Sequence, residues 1–259
     1  MDKKNALKFF PEIAGKIGSR KPALFLDFDG TLAPIADKPE LAVLSQETFH
    51  VLEEAAKLFV VAVISGRDRA DIHRLVGIDN LFYAGNHGLD ISGPNDINFR
   101  FDEEAKFHIS VESAYQELIE KLAHIPGIVI ERKKYGIAAH YRLVEEKYLA
   151  DFESIMENVL RKHPDLKCLL GKKVFELQAK TDWNKGEALL WVMQHLQLDY
   201  ENTLPFYIGD DTTDEDAFIA LDGKGIAIAV RDRPHPTFAE YILQNPLEVH
   251  AFLEKLIRR

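Results

Sequence analysis

With 259 residues, of which 46% are hydrophobic and 29% charged, the chain has the size and composition of a globular core with room for a smaller insert. A net charge of -10 argues against nucleic acid or an anionic membrane as a partner, and no segment approaches the roughly 18 uncharged apolar residues of a membrane span. The single cysteine, Cys168, excludes an internal disulfide framework, and because the N-terminus lacks a signal-peptide pattern we expect a cytoplasmic protein, taken to be a monomer.

Short apolar runs alternate with helical patterns in the N-terminal part of the chain. Strands are predicted at 23–26, 58–64 and 81–84, and helices at 45–57, with Ser45 as N-cap, and at 68–76. A polar cluster follows each strand: Asp27 to Thr31, Ser65 to Arg67 and Gly85 to Gly88. This order of strand, polar loop, helix and strand is typical of a parallel α/β sheet.

The stretch 101–180 has a different pattern. Helices are predicted at 104–122 and 145–161, and strand-like runs at 128–133, 136–142, 166–170 and 173–178. Two strands, a helix and two more strands are typical of an antiparallel α+β unit. We therefore expect an α+β cap at 101–180 that is inserted into a core formed by 1–100 and 181–259.

The parallel pattern resumes after the predicted cap. Strands are predicted at 206–208 and 225–230, a helix at 214–221, and a closing helix from Asn245 onward. Strands that are apolar throughout fit a sheet buried on both faces. The predicted fold class is α/β, with a Rossmann-like parallel sheet and an inserted α+β cap.

The polar clusters are expected to converge, because ligands of open α/β sheets bind at the carboxyl ends of the strands. Asp27 and Asp29, at positions i and i+2, point to the same face of an extended strand end. Neighbouring carboxylates raise each other's proton affinity unless a cation lies between them, and Asp210 and Asp211 add further negative charge. Mg²⁺ would resolve this repulsion, since it prefers oxygen ligands and is often held by few carboxylates plus substrate phosphate.

These residue types predict a phosphoryl-transfer site. Asp27 suits the nucleophile, and Asp29 is placed to protonate the leaving oxygen and later to take a proton from water. Ser65 and Thr31, with nearby backbone N–H groups, can hold phosphoryl oxygens, and Lys185 can neutralise charge that develops on them. Further candidates for substrate binding lie in the same polar clusters: Gly66, Arg67, Asn86 and His87.

A resemblance to the haloacid dehalogenase-like phosphatases rests on four segments: Asp27-Phe28-Asp29-Gly30-Thr31, Ser65-Gly66-Arg67, Lys185 and Gly209-Asp210-Asp211-Thr212-Thr213-Asp214. Within that superfamily, five longer segments of the chain resemble the trehalose-6-phosphate phosphatase family: LDFDGTLAPIADKPE, VISGRDRADI, AGNHGLDI, DWNKGEALLW and YIGDDTTDEDAF. The resemblance implies a haloacid dehalogenase-like core and Mg²⁺-dependent hydrolysis of trehalose 6-phosphate through an aspartyl-phosphate. It also implies that the partner is a small sugar phosphate.

The resemblance also implies residue roles. Asp27 would be the nucleophile and Asp29 the acid and base. The metal would be bound by Asp27, by the main chain of Asp29 and by Asp210. Asp211 and Asp214 would support the metal site from nearby.

Candidate sugar-binding residues lie on the predicted cap strands: Glu131, Lys133, His140, Arg142 and Glu176. On an extended strand the first two point to one face, and so do the next two. In the family, Glu-x-Lys and His-x-Arg of this kind, with a later cap glutamate, contact the sugar. Family members often follow that glutamate with Arg or Lys and then Pro, whereas this chain has Leu177-Gln178-Ala179.

Other functions stay open at this point. A related sugar phosphatase could act on sucrose phosphate, mannosyl-phosphoglycerate or a hexose phosphate. A phospho-acceptor module similar to receiver domains also uses a strand-end aspartate and Mg²⁺, but the second carboxylate and the inserted cap argue against it. An inactive regulatory domain is disfavoured by the complete set of Asp27, Asp29, Lys185 and Asp210.

Overall fold

A computed structural model describes residues 3–36, 41–100, 104–171, 173–231 and 236–259. The chain forms two compact units, one made of Met1–Phe99 with Trp183–Arg259 and the other of Arg100–Asp182. Among the described residues, the helices are either too short or too polar to cross a bilayer.

The strands are β1 (Lys4–Asn5), β2 (Lys21–Leu26), β3 (Val60–Ile64), β4 (Phe82–Gly85), β5 (Asp90–Gly93), β6 (Ile97–Arg100), β7 (Val129–Lys133), β8 (Gly136–His140), β9 (Leu166–Gly171), β10 (Val174–Ala179), β11 (Thr203–Gly209), β12 (Ile226–Val230) and β13 (Tyr241–Leu243). The helices are α1 (Phe10–Ile17), α2 (Gln46–Leu58), α3 (Arg69–Val76), α4 (Glu104–Leu122), α5 (Leu149–Lys162), α6 (Lys185–His195), α7 (Glu215–Ala220) and α8 (Pro246–Ile257). Single 3₁₀ turns lie at Asn86–Gly88, Glu146–Tyr148 and Thr212–Asp214.

The first unit is built on a nine-stranded sheet with the order β1-β13-β12-β11-β2-β3-β4-β5-β6. The strands from β1 to β4 in this order pair in parallel, and β5 pairs with β4 in the antiparallel direction. β2 is followed in the chain by β3 on one side, while β11 returns to pair on its other side. The sheet therefore changes its direction of winding at β2, which is where open α/β sheets bind ligands.

Alternate residues of the central strands enter two separate cores, because successive side chains of a strand point to opposite faces. On β2, Leu24 and Leu26 belong to the core under α1, α2, α3 and α8. Ala23 and Phe25 belong to the core under α6 and α7. Helices thus cover both faces of the sheet, and this burial explains why its central strands are apolar throughout. The next residue with the parity of Phe25 is Asp27, which therefore leaves the sheet on the side of α6 and α7.

The second unit has a four-stranded antiparallel sheet with the order β7-β8-β10-β9. One face of this sheet packs on α4 and α5 through an apolar core that includes Ile137, Leu177, Val111 and Phe152. The opposite face carries the polar residues of the same strands. The unit is an α+β sandwich of one sheet and one helical layer.

The predicted fold class is confirmed, with a large parallel sheet and a separate antiparallel sheet. Ser45 caps α2 as predicted, since its side chain accepts a hydrogen bond from Thr48 N at 3.1 Å. Asn184 and Asn245 cap α6 and α8 in the same way. Each cap satisfies a backbone donor that the first helical turn leaves without a partner.

Some boundaries differ from the prediction. β8 ends at His140, so Arg142 lies in the following turn and not on the strand where the sequence pattern placed it. The helix predicted at 145–161 begins at Leu149, after the 3₁₀ turn Glu146–Tyr148. The short strands β1, β5, β6 and β13 were not predicted: the first three contain polar residues and too little periodicity to be recognised, and β13 has only three residues.

Candidate active site

The site lies at the carboxyl ends of the neighbouring strands β11, β2, β3 and β4. Asp27 follows β2 directly, and the residue is 5% exposed. Its backbone N–H donates to Ile208 O at 2.9 Å, which extends the ladder between β2 and β11 by one residue. Asp27 is therefore held by the sheet itself, with its carboxylate on the side of α6.

Lys185 joins two buried carboxylates. It is the first residue of α6, and its Nζ donates to Asp27 Oδ1 at 2.8 Å and to Asp214 Oδ1 at 2.6 Å. Asp214 is fully buried and also accepts from the Tyr207 hydroxyl at 2.8 Å and from Asp211 N at 2.9 Å. Burial alone would lower the pKa of Lys185, but Asp214 and Asp27 outweigh it and raise that pKa well above its ordinary value. The two carboxylates thus stabilise the protonated form of Lys185 beside Asp27.

Three acidic side chains form a group that could hold a metal ion. One oxygen from each of Asp27, Asp210 and Asp214 lies within 4.8 Å of the other two, and all three residues are buried. Burial raises the pKa of Asp27 well above its ordinary value; Lys185 opposes that shift, and Asp214 and Asp210 add to it. A cation among these oxygens would favour the ionised form of Asp27, because it reverses the local charge balance. The donor set, which is oxygen only, fits a hard divalent cation.

Two glycines make this crowding of carboxylates possible. Gly30 has a φ of +83°, and a Cβ there would lie 2.2 Å from Asp210 Oδ2. A Cβ on Gly209 would lie 2.3 Å from the Asp214 carboxyl carbon. A side chain at either position would displace a carboxylate of the acidic group.

Asp29 is oriented by Arg67 and not by the acidic group. Arg67 donates from Nε and Nη2 to the two oxygens of Asp29, and from Nη1 to Asp71 Oδ2 at 3.0 Å. Its guanidinium also lies over the Phe28 ring, 5.6 Å from the centroid. Burial would lower the pKa of Arg67, but Asp29 and Asp71 outweigh it and raise that pKa. Arg67 was predicted to bind substrate; in this structure its charge is satisfied by Asp29 and Asp71.

The loops after β3 and β4 are tied together. Asn86 N and His87 N donate to Arg67 O at 2.8 Å and to Ser65 O at 2.9 Å. Asn86 and His87 both have left-handed backbone angles, with φ of 50° and 57°. Such angles cost energy in residues other than glycine and are concentrated at functional sites. The His87 ring lies against Gly66, where a Cβ would be 2.7 Å from Nε2.

Two hydroxyl groups lie among these loops. Ser65 is 2% exposed, and its Oγ accepts from Arg67 N at 3.2 Å. Thr31 is fully buried, and within the described part of the chain its Oγ1 has no hydrogen-bond partner. A buried hydroxyl without a partner is costly, so Thr31 is suited to a bound polar ligand.

Asp211 lies apart from the three acidic side chains that group together. Its Oδ1 accepts from Thr212 N at 2.7 Å, and its own N–H donates to Asp214, which together cap the 3₁₀ turn Thr212–Asp214. Asp211 therefore positions Asp214. Tyr207 and Asp71, which hold Asp214 and Arg67 in place, were not singled out from the sequence. Parity along β11 could have identified Tyr207, but no sequence signal pointed to Asp71.

The polar face of the second unit brings four of the five predicted sugar-binding residues onto one side of its sheet. Lys133 Nζ donates to Glu176 Oε1 at 2.6 Å, and both side chains are nearly buried. His140 Nε2 lies 3.2 Å from Glu131 Oε2, and this hydrogen bond lowers the pKa of Glu131. Arg142, the fifth residue, is exposed in the turn after β8.

Comparisons with known proteins agree on one family. The family model described as trehalose-phosphatase matches residues 25–246. The curated protein "Probable trehalose-phosphate phosphatase 4" of Oryza sativa subsp. japonica is 38% identical over 258 residues, which cover 98% of this chain and 70% of that protein. "Trehalose-phosphate phosphatase B" of Arabidopsis thaliana is 36% identical over 266 residues, covering 98% and 71%. The solved C-terminal domain of C. albicans trehalose-6-phosphate phosphatase has the same fold, with a TM-score of 0.83, 24% identity and 99% of each chain covered.

Proposed function

The chain belongs to the trehalose-phosphatase family, and we propose that it hydrolyses trehalose 6-phosphate to trehalose and phosphate through a phosphoryl group carried on Asp27. The observation that carries the proposal is the buried Asp27 carboxylate, 2.8 Å from Lys185 Nζ and grouped with Asp210 and Asp214 at a strand end. A carboxylate in this setting suits a nucleophile, because Lys185, together with a metal ion when bound, would offset the negative charge of a phosphoryl group.

The first chemical step transfers the phosphoryl group to the enzyme. A bond forms between an oxygen of Asp27 and phosphorus while the phosphorus–oxygen bond to the sugar breaks. Asp29 gives a proton to the departing sugar oxygen from one carboxyl oxygen, which needs one of its two hydrogen bonds from Arg67 to open while the other holds the carboxyl in position. Lys185 and the hydroxyls of Ser65 and Thr31 hold the phosphoryl oxygens.

The second step releases phosphate. Asp29, now ionised, takes a proton from water, the water oxygen bonds to phosphorus, and the bond to Asp27 breaks. Mg²⁺, when bound, would supply the positive charge that lets anionic carboxylates and phosphate come together. Asp27 and Asp210 are the side chains that we propose to hold it, with the Asp29 main chain as a further ligand and with Asp211 and Asp214 in support.

The second unit would act as a cap that selects the sugar. Glu131, Lys133, His140, Arg142 and Glu176 offer both acceptors and donors for hydroxyl groups. Gly66, Asn86 and His87 would shape the loops around the phosphoryl group. A monomeric state and a cytoplasmic location stay predictions of the sequence.

The test is phosphate release from a panel of sugar phosphates with Mg²⁺ or EDTA, for the wild type and for Asp27→Asn. Preference for trehalose 6-phosphate, abolished by EDTA and by the substitution, is expected. Asp222→Asn is the matched control, because Asp222 is exposed in the turn after α7 and is not one of the proposed site residues. Metal-dependent release spread over several sugar phosphates would point to a related sugar phosphatase, and no release from any of them would end the proposal.

A further inference from the structure

The polar face of the second unit is organised in cross-strand rows. The register across β7, β8, β10 and β9 aligns three rows: Lys133–Gly136–Gln178–Lys167, Glu131–Ala138–Glu176–Leu169 and Val129–His140–Val174–Gly171. Side chains of one row that lie on adjacent strands are close neighbours. Gln178 therefore lies beside Glu176 along β10 and in the same row as Lys133.

Gln178 is a largely buried residue whose amide group has no hydrogen-bond partner among the described residues but is not sealed from solvent. The residue is only 6% exposed. Within the described part of the chain, no hydrogen bond joins its side chain to another residue. Lys133 is paired with Glu176, and the neighbouring Lys167 donates to Thr181 O at 2.8 Å. Because the amide atoms are open to the polar face and are not engaged by another side chain, a ligand on this face can reach them for hydrogen bonding.

A glycine lies next to Gln178 in this row. Gly136 separates Lys133 from Gln178 and carries no side chain. A Cβ at Gly136 would lie 2.5 Å from Leu177 O and 3.4 Å from Gln178 Cγ, so glycine permits the close approach of β8 to β10 at this point. Lys133 and Gln178 thus lie in one row with no side chain between them, and the Glu176 carboxylate lies in the adjacent row.

We infer that Gln178 is a specificity-determining residue whose amide forms a hydrogen bond with a hydroxyl of the sugar part of the substrate. This inference rests on the proposed function. A hydroxyl both donates and accepts, and so does an amide, whereas lysine only donates and an ionised glutamate only accepts. Gln178 complements Lys133 and Glu176 in this way, and a sugar ring with several hydroxyls is the ligand class that needs all three.

The inference is tested by steady-state kinetics of Gln178→Ala and Gln178→Met on trehalose 6-phosphate and on p-nitrophenyl phosphate, which has no sugar. We expect the ratio of the two kcat/KM values to fall about tenfold, mainly through the KM for the sugar phosphate. Met keeps the volume of Gln, so this variant should fold even if Ala leaves a cavity. Gln116→Ala is the matched control, since Gln116 is exposed on α4.

Each outcome decides the inference. A ratio within twofold of wild type in Gln178→Met would overturn it, and so would equal losses on both substrates, which indicate a structural role. If the wild type prefers another sugar phosphate of the panel, the proposed substrate is wrong, and the same ratio measured on that compound decides the role of Gln178. Release of phosphate from p-nitrophenyl phosphate but from no sugar phosphate would overturn both the role of Gln178 and the proposed function.

Discussion

Arg67 holds Asp29 through two hydrogen bonds, from Nε to Oδ2 at 2.7 Å and from Nη2 to Oδ1 at 2.8 Å. This is the bidentate geometry in which a planar guanidinium matches both oxygens of a carboxylate. The third nitrogen of Arg67 is anchored to Asp71 on α3. A residue of the Ser65-Gly66-Arg67 loop therefore fixes the carboxyl group that we propose as acid and base, although the two are 38 residues apart.

Arg67→Lys is expected to lower kcat about tenfold or more, because lysine keeps the charge but cannot form the bidentate hydrogen bonds to the two oxygens of Asp29. The KM should change less, since the metal and phosphoryl contacts remain. Initial-rate measurements over a range of substrate concentrations check this. Arg258→Lys, an exposed ion pair with Glu254 on α8, is the control. A kcat equal to wild type would show that the Arg67–Asp29 pairing has no part in catalysis.

Tyr207→Phe is expected to lower the free energy of unfolding by about 1 kcal/mol, because it removes a buried hydrogen bond to Asp214 without leaving a large cavity. Asp214 would keep Lys185 and Asp211 N as donors, so folding should persist. Urea unfolding followed by far-ultraviolet circular dichroism measures the change. No change in stability would mean that the hydroxyl contributes nothing to the burial of Asp214.

Gly30→Ala is expected to abolish most activity, because the new Cβ would collide with the Asp210 carboxylate. Gly223→Ala separates this effect from backbone strain. Gly223 also has a positive φ, +66°, but a Cβ there meets nothing within 4 Å. Both variants should lose about 1 kcal/mol of stability from the left-handed backbone, while only Gly30→Ala loses phosphate release. Equal activity in the two variants would contradict the close approach of Gly30 to Asp210.

The stability that Glu117 provides should depend on pH. Hydrogen bonds from Lys121 and then Lys162 lower the pKa of Glu117 to about 2, below its ordinary 4.5. Because the folded-state pKa is the lower one, this contribution is complete above about pH 4.5 and is lost as the pH falls towards 2. Glu117→Gln should therefore be less stable than wild type by about 0.5–1 kcal/mol at pH 7.

Urea unfolding of Glu117→Gln and wild type at pH 7 and at pH 3 measures this effect, and the difference should shrink at the lower pH. Glu120→Gln on the same helix is the control, because Glu120 is exposed. A difference that stays the same at both values of pH would show that the ion pairs do not set the stability.

The main features of the fold and of the acidic site followed from local sequence patterns. Apolar runs that end in polar clusters predicted the strands β2, β3, β4 and β11, and the carboxyl ends of parallel strands meet at one edge of a sheet. That rule was enough to expect Asp27, Asp210 and Asp214 in one place, whereas Lys185, at the start of a helix, was a candidate because of its charge and the family resemblance. The specific roles of the predicted site residues stay predictions until variants are measured.

Only the tertiary structure decided which partner each side chain takes. The pairing of Arg67 with Asp29, the burial of Gln178 beside Gly136, and the end of β8 before Arg142 depend on the register and approach of segments distant in the chain. Local periodicity reports which face of an element a residue occupies, but it carries no information on what lies opposite that face. Hydrogen bonds and ion pairs between distant segments depend on three-dimensional packing, so the tertiary structure was needed to identify them.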